Sequence, residues 1–153
     1  MIRSLSIQKG LIGTRQTLEA MAVLSRHGKN FPEVRQAANW YGPDLDAMLR
    51  RYWRKVDEYT ETLYTVDAQV RHLQQYGYMI GDCDDAAIVA GAVLLAIRDM
   101  GHAMPVRFVA VRRSQDSEFS HVFTEAFDGH YIIDPIAPVG MSYAGYERME
   151  YPL

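Results

Sequence analysis

The spacing of apolar side chains changes near residue 100 of the chain. Before that point apolar positions recur with the period of an α-helix, and after Pro105 they alternate with polar positions as in β-strands. Helices followed by a run of consecutive strands are typical of the α+β class, in which helices pack on an antiparallel sheet. The pattern therefore predicts an α+β fold with a helical N-terminal half.

The predicted helices of the first half are separated by residues that interrupt helices. Gly28 follows the first helix, and Gly42-Pro43 follows the second. Asp44 is placed to cap the third, because a carboxylate at a helix start accepts a backbone N–H. The stretch 64–80 shows no clear period and is open between an irregular helix and a loop. The three helices are predicted at residues 14–26, 33–40 and 44–63.

A fourth helix, predicted at residues 84–100, is apolar on almost every side and is followed by Gly101. A helix with this pattern is typically buried at the centre of a domain. Small residues in its N-terminal half would allow another backbone to approach closely; they are Ala86, Ala87, Ala90, Gly91 and Ala92. Cys83 stands immediately before this helix.

Three strands are predicted after the buried helix, at residues 106–113, 120–127 and 131–134. The last two are separated by Asp128-Gly129, a dipeptide typical of two-residue hairpin loops. With that loop Phe123 faces Asp134, and His121 lies on the same sheet face, one diagonal step of roughly 7–8 Å away between backbones. A three-residue loop would put Asp134 on the opposite face.

The length, net charge and apolar stretches of the chain indicate how many domains it has and which kinds of partner it lacks. The 153 residues suit one domain, expected to span 1–153 with a helical lead-in at 1–63 and a core at 64–153. The formal net charge of −3 gives no field for nucleic-acid binding. The longest apolar stretch, 86–97, is too short to cross a bilayer, and the N-terminus lacks the apolar run of a signal peptide. We therefore expect neither a nucleic-acid partner nor a membrane partner, and no export by the general route.

Three residues form a candidate catalytic triad. Cys83 precedes a helix, whose free N–H groups and dipole stabilise a thiolate, and its own N–H could hold a developing oxyanion. His121 could take the thiol proton, and Asp134 could fix the imidazole tautomer and stabilise the imidazolium. A thiol paired with an imidazolium in this way is expected to have a pKa well below the ordinary value of about 8.5.

Plainer interpretations of the same residues remain open. A single cysteine at an alanine-rich helix start is more often a small buried residue than a nucleophile, and a single strand histidine is more often structural. The neighbouring Asp82, Asp84 and Asp85 would raise the pKa of the thiol. A metal site is disfavoured, because the spacing between Cys83, His121 and Asp134 matches no compact zinc motif.

At these residues the chain resembles the transglutaminase-like superfamily, in particular its small bacterial and phage-type members with a cysteine-protease fold. The resemblance is specific over residues 64–135 and weaker before them, where 14–39 is similar to the helical lead-in of prophage-encoded members. A peptidoglycan-amidase group is a weaker match, because it has Asp-Cys-Ser-Gly where this chain has Asp-Cys-Asp-Asp. The segments that carry the resemblance are 81–85, Gly101, 105–111, 120–126 and 131–135.

The resemblance implies a papain-like transglutaminase core in which Cys83 is the nucleophile, His121 the base and Asp134 its orienter. It also implies a side-chain oxyanion donor upstream of the cysteine, for which the candidates are Gln69, Gln74, Gln75, Tyr76 and Tyr78. The implied activity is thiol-dependent acyl chemistry on amide bonds of a peptide or protein substrate. Hydrolysis is favoured over transamidation, because water is the default acceptor, and no cofactor is needed.

A catalytically idle role in a phage or prophage particle is the alternative function. The prophage-like lead-in motivates it, with phage structural proteins as partners. Either role places the protein in the cytoplasm of a bacterial host or in a virion. The reactivity of Cys83 toward an alkylating probe across pH would separate the enzyme from the structural protein.

Overall fold

The computed structural model describes residues 4–6, 11–41, 44–56, 62–116 and 118–153, and its fold is of the α+β class, as expected. The helices are α1 (Leu11–Gly28), α2 (Pro32–Tyr41), α3 (Leu45–Tyr52), α4 (Val66–Tyr76) and α5 (Cys83–Asp99). The strands are β1 (Ser4–Ser6), β2 (Trp53–Lys55), β3 (Thr62–Tyr64), β4 (Met79–Gly81), β5 (Val106–Arg112), β6 (His121–Ala126), β7 (Tyr131–Ile133) and β8 (Glu147–Pro152).

The main sheet has four antiparallel strands in the order β7-β6-β5-β8. Strand β8 lies beside β5, with Phe108 facing Tyr151, and the sequence pattern did not predict it. Two small sheets complete the fold: β1 pairs antiparallel with β3, and β2 pairs parallel with β4. Within the part of the chain that the structure describes, no helix has the length and hydrophobicity required to span a membrane.

The β6–β7 hairpin confirms the predicted register. Thr124 faces Ile133 in the last pair of the ladder, which is the register that was predicted to place Phe123 opposite Asp134. The His130 N–H donates to the Phe127 carbonyl at 3.2 Å across the Asp128-Gly129 turn. Asp128 and Gly129 both have positive φ, 54° and 88°, which is the geometry of a type I′ turn and the reason that this dipeptide suits it.

Helix α5 forms the centre of the molecule, and its residues from Asp85 to Ala96 are all buried. One side packs on the main sheet, where the Thr124 hydroxyl donates to the Ala87 carbonyl at 2.9 Å. On another side α1 approaches so closely that a Cβ on Gly91 would lie 2.8 Å from Oγ of Ser25. That hydroxyl donates to the Ile88 carbonyl at 2.8 Å. The predicted close approach at the small residues of α5 is therefore confirmed.

The predicted third helix, 44–63, is wrong in its second half. Helix α3 ends at Tyr52, and Trp53 enters β2, where its indole N–H donates to the Gly81 carbonyl at 3.1 Å. Pairing with β4 overrides the helical period, because the strand also buries the Trp53 ring. Asp44 occupies the N-cap position but makes no side-chain cap hydrogen bond. Residues 57–61 of the predicted helix and the Gly42-Pro43 breaker lie outside the described residues.

The stretch 64–80, which had no clear period, contains a helix followed by a strand. The Thr65 side chain caps α4 by accepting the Ala68 N–H at 3.2 Å. Gly77, with φ +83°, ends the helix, and its N–H donates to the Leu73 carbonyl. Strand β4 then leads to Asp82 and the start of α5. Strand β4 runs back along α4, so that Gln69 in the first half of the helix binds Ile80, three residues before the candidate nucleophile.

Candidate active site

Cys83 is the first residue of α5, at the position that the sequence predicted. Asp82 is the N-cap, and its carboxylate accepts the backbone N–H groups of Asp84, at 3.1 Å, and of Asp85. The Asp85 carboxylate accepts the Asp82 N–H in return at 3.3 Å, which completes a capping box. The N–H of Cys83 is the first-turn donor that this capping box does not use.

The backbone entering the helix is held in one conformation by Gly81 and Asp85. Gly81 has φ +141°, and a Cβ there would lie 2.2 Å from Oδ2 of Asp85, so only glycine fits. Asp85 is fully buried, and its Oδ1 accepts the Tyr64 N–H of β3 at 2.9 Å. The same carboxylate thus joins β3 to the capping box beside Cys83.

The surroundings of the Cys83 thiol raise its pKa. Burial is the largest cause, followed by the negative charges of Asp84 and Asp82, while a backbone hydrogen bond from Val122 of β6 lowers the pKa and Asp134 raises it. The net result is a pKa well above the ordinary value, so the thiol is protonated at neutral pH. The expectation of a lowered thiol pKa is therefore wrong, because burial and two carboxylates outweigh the helix N-terminus.

His121 and Asp134 are brought together as predicted. Nε2 of His121 lies 2.8 Å from Oδ1 and 2.9 Å from Oδ2 of Asp134. Because a carboxylate only accepts, Nε2 carries the proton in this contact, and in a neutral imidazole Nδ1 is then the nitrogen that can act as a base. Asp134 is buried and His121 is partly buried, which limits competition from water.

Cys83 approaches β6 beside His121 but has a different hydrogen-bond partner. Its Sγ lies 3.9 Å from Oδ1 of Asp84 and accepts the backbone contact from Val122. Val122 packs in the core that includes α5, whereas Phe123 packs in a second cluster on the other sheet face. His121 shares the face of Phe123 and stands at the first position of β6. The described contacts include no hydrogen bond between the thiol and the imidazole.

Tyr143 is a site residue that the sequence analysis missed. Its hydroxyl donates to Oδ2 of Asp134 at 2.6 Å, and its ring stacks on His121 with centroids 5.5 Å apart. Phe123 also stacks on the Tyr143 ring, with centroids 5.1 Å apart. Burial raises the pKa of Tyr143, and its hydrogen bond to the Asp134 carboxylate raises it further. The segment around Tyr143 has no helical or strand period, so nothing in the sequence pointed to it.

The predicted oxyanion donors have other partners. Gln69 is buried, and its amide binds both backbone groups of Ile80: Nε2 donates to the carbonyl at 2.6 Å, and Oε1 accepts the N–H at 3.0 Å. Tyr76 and Tyr78 flank His72, with ring centroids 4.6 and 5.0 Å away. The Arg54 guanidinium lies over the ring of Tyr78.

The two remaining candidates for the side-chain oxyanion donor are Gln74 and Gln75. Gln75 is exposed on α4, and Gln74 lines a cavity of about 390 Å³ between α2, α3, α4 and α5. Because the Gln69 amide binds both backbone groups of Ile80, its role is to hold β4, the strand that leads into α5. The Cys83 N–H remains the oxyanion candidate closest to the thiol.

We also searched the site for a possible metal centre and compared the chain with known proteins. Within the part of the chain that the structure describes, no three His, Cys, Asp or Glu side chains are grouped so that they could hold a metal ion. No protein-family model, curated protein or solved structure matches this chain.

Proposed function

We propose that the protein is a thiol-dependent hydrolase of amide bonds in peptides or proteins, with a papain-like transglutaminase core. One observation carries this proposal: a histidine paired with a buried aspartate lies on the strand whose backbone binds the cysteine that begins the central helix. His121 and Asp134 make that pair, and Cys83 contacts the backbone of Val122, the residue after the histidine. Their order along the chain is the order of the catalytic residues in the family that the sequence resembles.

In the proposed reaction the thiol is neutral at rest and is deprotonated only as it attacks. His121 stands at the first position of β6, so the proposal requires the Cys83 side chain to turn from Asp84 past this end of the strand toward Nδ1 of His121. Nδ1 then accepts the proton while Sγ bonds to the substrate carbonyl carbon. Asp134 stabilises the resulting imidazolium through Nε2, and the Cys83 N–H donates to the oxyanion. The imidazolium then protonates the leaving amine as the C–N bond breaks, which produces a thioester.

Water completes the cycle. His121 takes a proton from a water molecule, whose oxygen attacks the thioester, and the same proton returns to Sγ as the C–S bond breaks. The acid product leaves, and the neutral thiol is restored. A reaction of this kind uses side chains and water alone. Action in the cytoplasm of a bacterial host or in a virion is part of the same proposal.

Alkylation of Cys83 by iodoacetamide tests the proposal, because the chain has a single thiol. If His121 acts as base, His121→Ala slows alkylation at pH 7 by about 100-fold, and Asp134→Asn slows it by about 10-fold. His102→Ala, which removes an exposed histidine outside the site, is the matched control and leaves the rate unchanged. Rates that are equal in wild type, His121→Ala and Asp134→Asn would refute the enzyme assignment.

A catalytically idle structural protein of a phage or prophage particle is the second candidate. The raised pKa of Cys83 and its contact with Asp84 favour it, because both hold the thiol in its unreactive form. Under this alternative, wild-type Cys83 alkylates only at alkaline pH and His121→Ala has no effect. The experiment above therefore separates the two functions.

A further inference from the structure

The backbone of Asp134 is held by two side chains of helix α3. Oδ1 of Asp46 accepts the Asp134 N–H at 2.7 Å, and Nη2 of Arg50 donates to the Asp134 carbonyl at 2.6 Å. Nη1 of Arg50 also donates to the carbonyls of Pro135, at 3.4 Å, and of Ala137. We call Asp46 and Arg50 the α3 clamp.

The two clamp residues are also joined to each other. Oδ2 of Asp46 lies 3.0 Å from Nε of Arg50, one helical turn later, and both side chains are mostly buried. At the start of the same helix, the Tyr131 hydroxyl accepts the Leu45 N–H at 3.2 Å. Helix α3 is therefore attached to β7 and to the residues that follow it by hydrogen bonds from Leu45, Asp46 and Arg50.

The α3 clamp binds the backbone of Asp134 just beyond the end of the β6–β7 ladder. The β6–β7 ladder ends at the pair of Thr124 and Ile133, so no strand partner holds Asp134. Both backbone groups of Asp134 are instead satisfied by α3 side chains, and its carboxylate is left to bind His121 and Tyr143. The direction of that carboxylate depends on how its backbone is held, and small displacements in such sites have large effects on rate.

We propose that Asp46 and Arg50 are positioning residues that set the orientation of Asp134 and, through it, of the His121 imidazole. The inference rests on the proposed function for its effect on Cys83. Its effect on His121 itself is independent of any reaction. Neither clamp residue contacts the thiol, so the clamp acts only through Asp134.

Arg50→Gln is the direct test, and the chain offers a matched control. Arg71 on α4 pairs with Asp67 at the same spacing, at 3.3 Å, and Arg71→Gln removes an equivalent helical ion pair away from Asp134. Arg50→Gln should speed solvent exchange of the His121 Nε2 proton, followed by NMR, and slow Cys83 alkylation, each by about 10-fold. Arg71→Gln should change neither. Arg50→Lys should lie between, because an ammonium cannot donate to several carbonyls as a fork.

A double-mutant cycle separates positioning from a general loss of stability. In an Asp134→Asn background, Arg50→Gln should cause no further slowing of alkylation, because its route of action is already removed. Equal slowing in both backgrounds would overturn the inference. If Arg50→Gln fails to fold, Asp46→Asn serves instead, since the asparagine oxygen still accepts the Asp134 N–H while the pairing with Arg50 is weakened.

The two proposals fail in different ways. Faster Nε2 proton exchange in Arg50→Gln, with alkylation insensitive to His121→Ala, would support the clamp and refute the enzyme. Alkylation that depends on His121 and Asp134, with Nε2 exchange unchanged in Arg50→Gln, would refute the clamp and support the enzyme.

Discussion

The two sides of the candidate site are built in different ways. On the thiol side, residues 81–85 hold one another: Asp82 caps the helix, Asp85 returns the hydrogen bond, and Gly81 makes room for it. On the histidine side, His121 and Asp134 depend on residues from distant parts of the chain, namely Asp46, Arg50 and Tyr143. One half is a local motif, and the other is an assembly of four separate segments.

This difference has a consequence for chemistry. The local motif places Cys83 at a helix start, but it also surrounds the thiol with carboxylates that raise its pKa. The histidine side has the hydrogen bonds that a base needs, with Asp134 accepting from both His121 and Tyr143. Activation of the thiol at neutral pH would therefore have to come from the histidine side, which we call the assembled side. Substitutions on each side test this division.

The largest expected effect is on the local side, at Gly81. Gly81→Ala should lower the free energy of unfolding by about 3 kcal/mol, because the new Cβ would meet the Asp85 carboxylate in a backbone conformation with φ +141°. Gly101→Ala is the matched control: its φ is +103°, but a Cβ there meets nothing within 4 Å. Urea unfolding of both variants measures the difference. Equal losses would show that backbone strain alone matters.

A second effect should appear at alkaline pH. Folded Cys83 keeps its proton at a pH where the unfolded thiol, with a pKa of about 8.5, has lost it, so unfolding releases a proton. The free energy of unfolding should thus fall as pH rises above about 8.5, by up to about 1.4 kcal/mol per pH unit from this group. Cys83→Ser should lack this part of the slope. Identical slopes in urea unfolding from pH 8 to 10 would contradict the raised pKa.

A smaller effect is expected on the assembled side, at Tyr143. Tyr143→Phe removes the hydroxyl that donates to Asp134, which should cost about 1 kcal/mol of stability. It should also slow Cys83 alkylation a few-fold, about as much as one hydrogen bond to the orienting carboxylate is worth. Tyr146→Phe is the control, since Tyr146 contacts Tyr143 edge-on, at 5.4 Å between centroids. A similar slowing by both variants would argue against a specific role for the Asp134 contact.

The smallest effect should sharpen the comparison at Asp84. Asp84→Asn removes a negative charge beside Sγ, so the pKa of Cys83 should fall and alkylation at pH 7 should become a few-fold faster, about the size of one surface charge interaction. Asp99→Asn, at the other end of α5, alters a surface ion pair with Lys29 and should leave the rate unchanged. A slower rate in Asp84→Asn would mean that this carboxylate assists the thiol instead of restraining it.

Much of the fold could be predicted where short-range rules apply. The type I′ preference of Asp128-Gly129 gave the hairpin register, and with it the pairing of His121 with Asp134. The apolar pattern predicted a buried central helix at 84–100, directly after Cys83, and α5 begins one residue earlier, at Cys83. Strand β2 was missed, because its three residues follow a helix without a break in period and become a strand only through pairing with β4.

The part of the site that could not be predicted consists of contacts between distant segments. The sequence by itself determined the helix that starts at Cys83, its capping residues and the hairpin, because backbone sterics and hydrogen bonds within a few residues decide them. Only the tertiary structure decided that Tyr143 and the α3 clamp meet at Asp134, and how far the partly buried thiol is withdrawn from water. Burial and the distances between remote charges depend on how the elements pack, and these quantities set the pKa of the thiol and the direction of the aspartate.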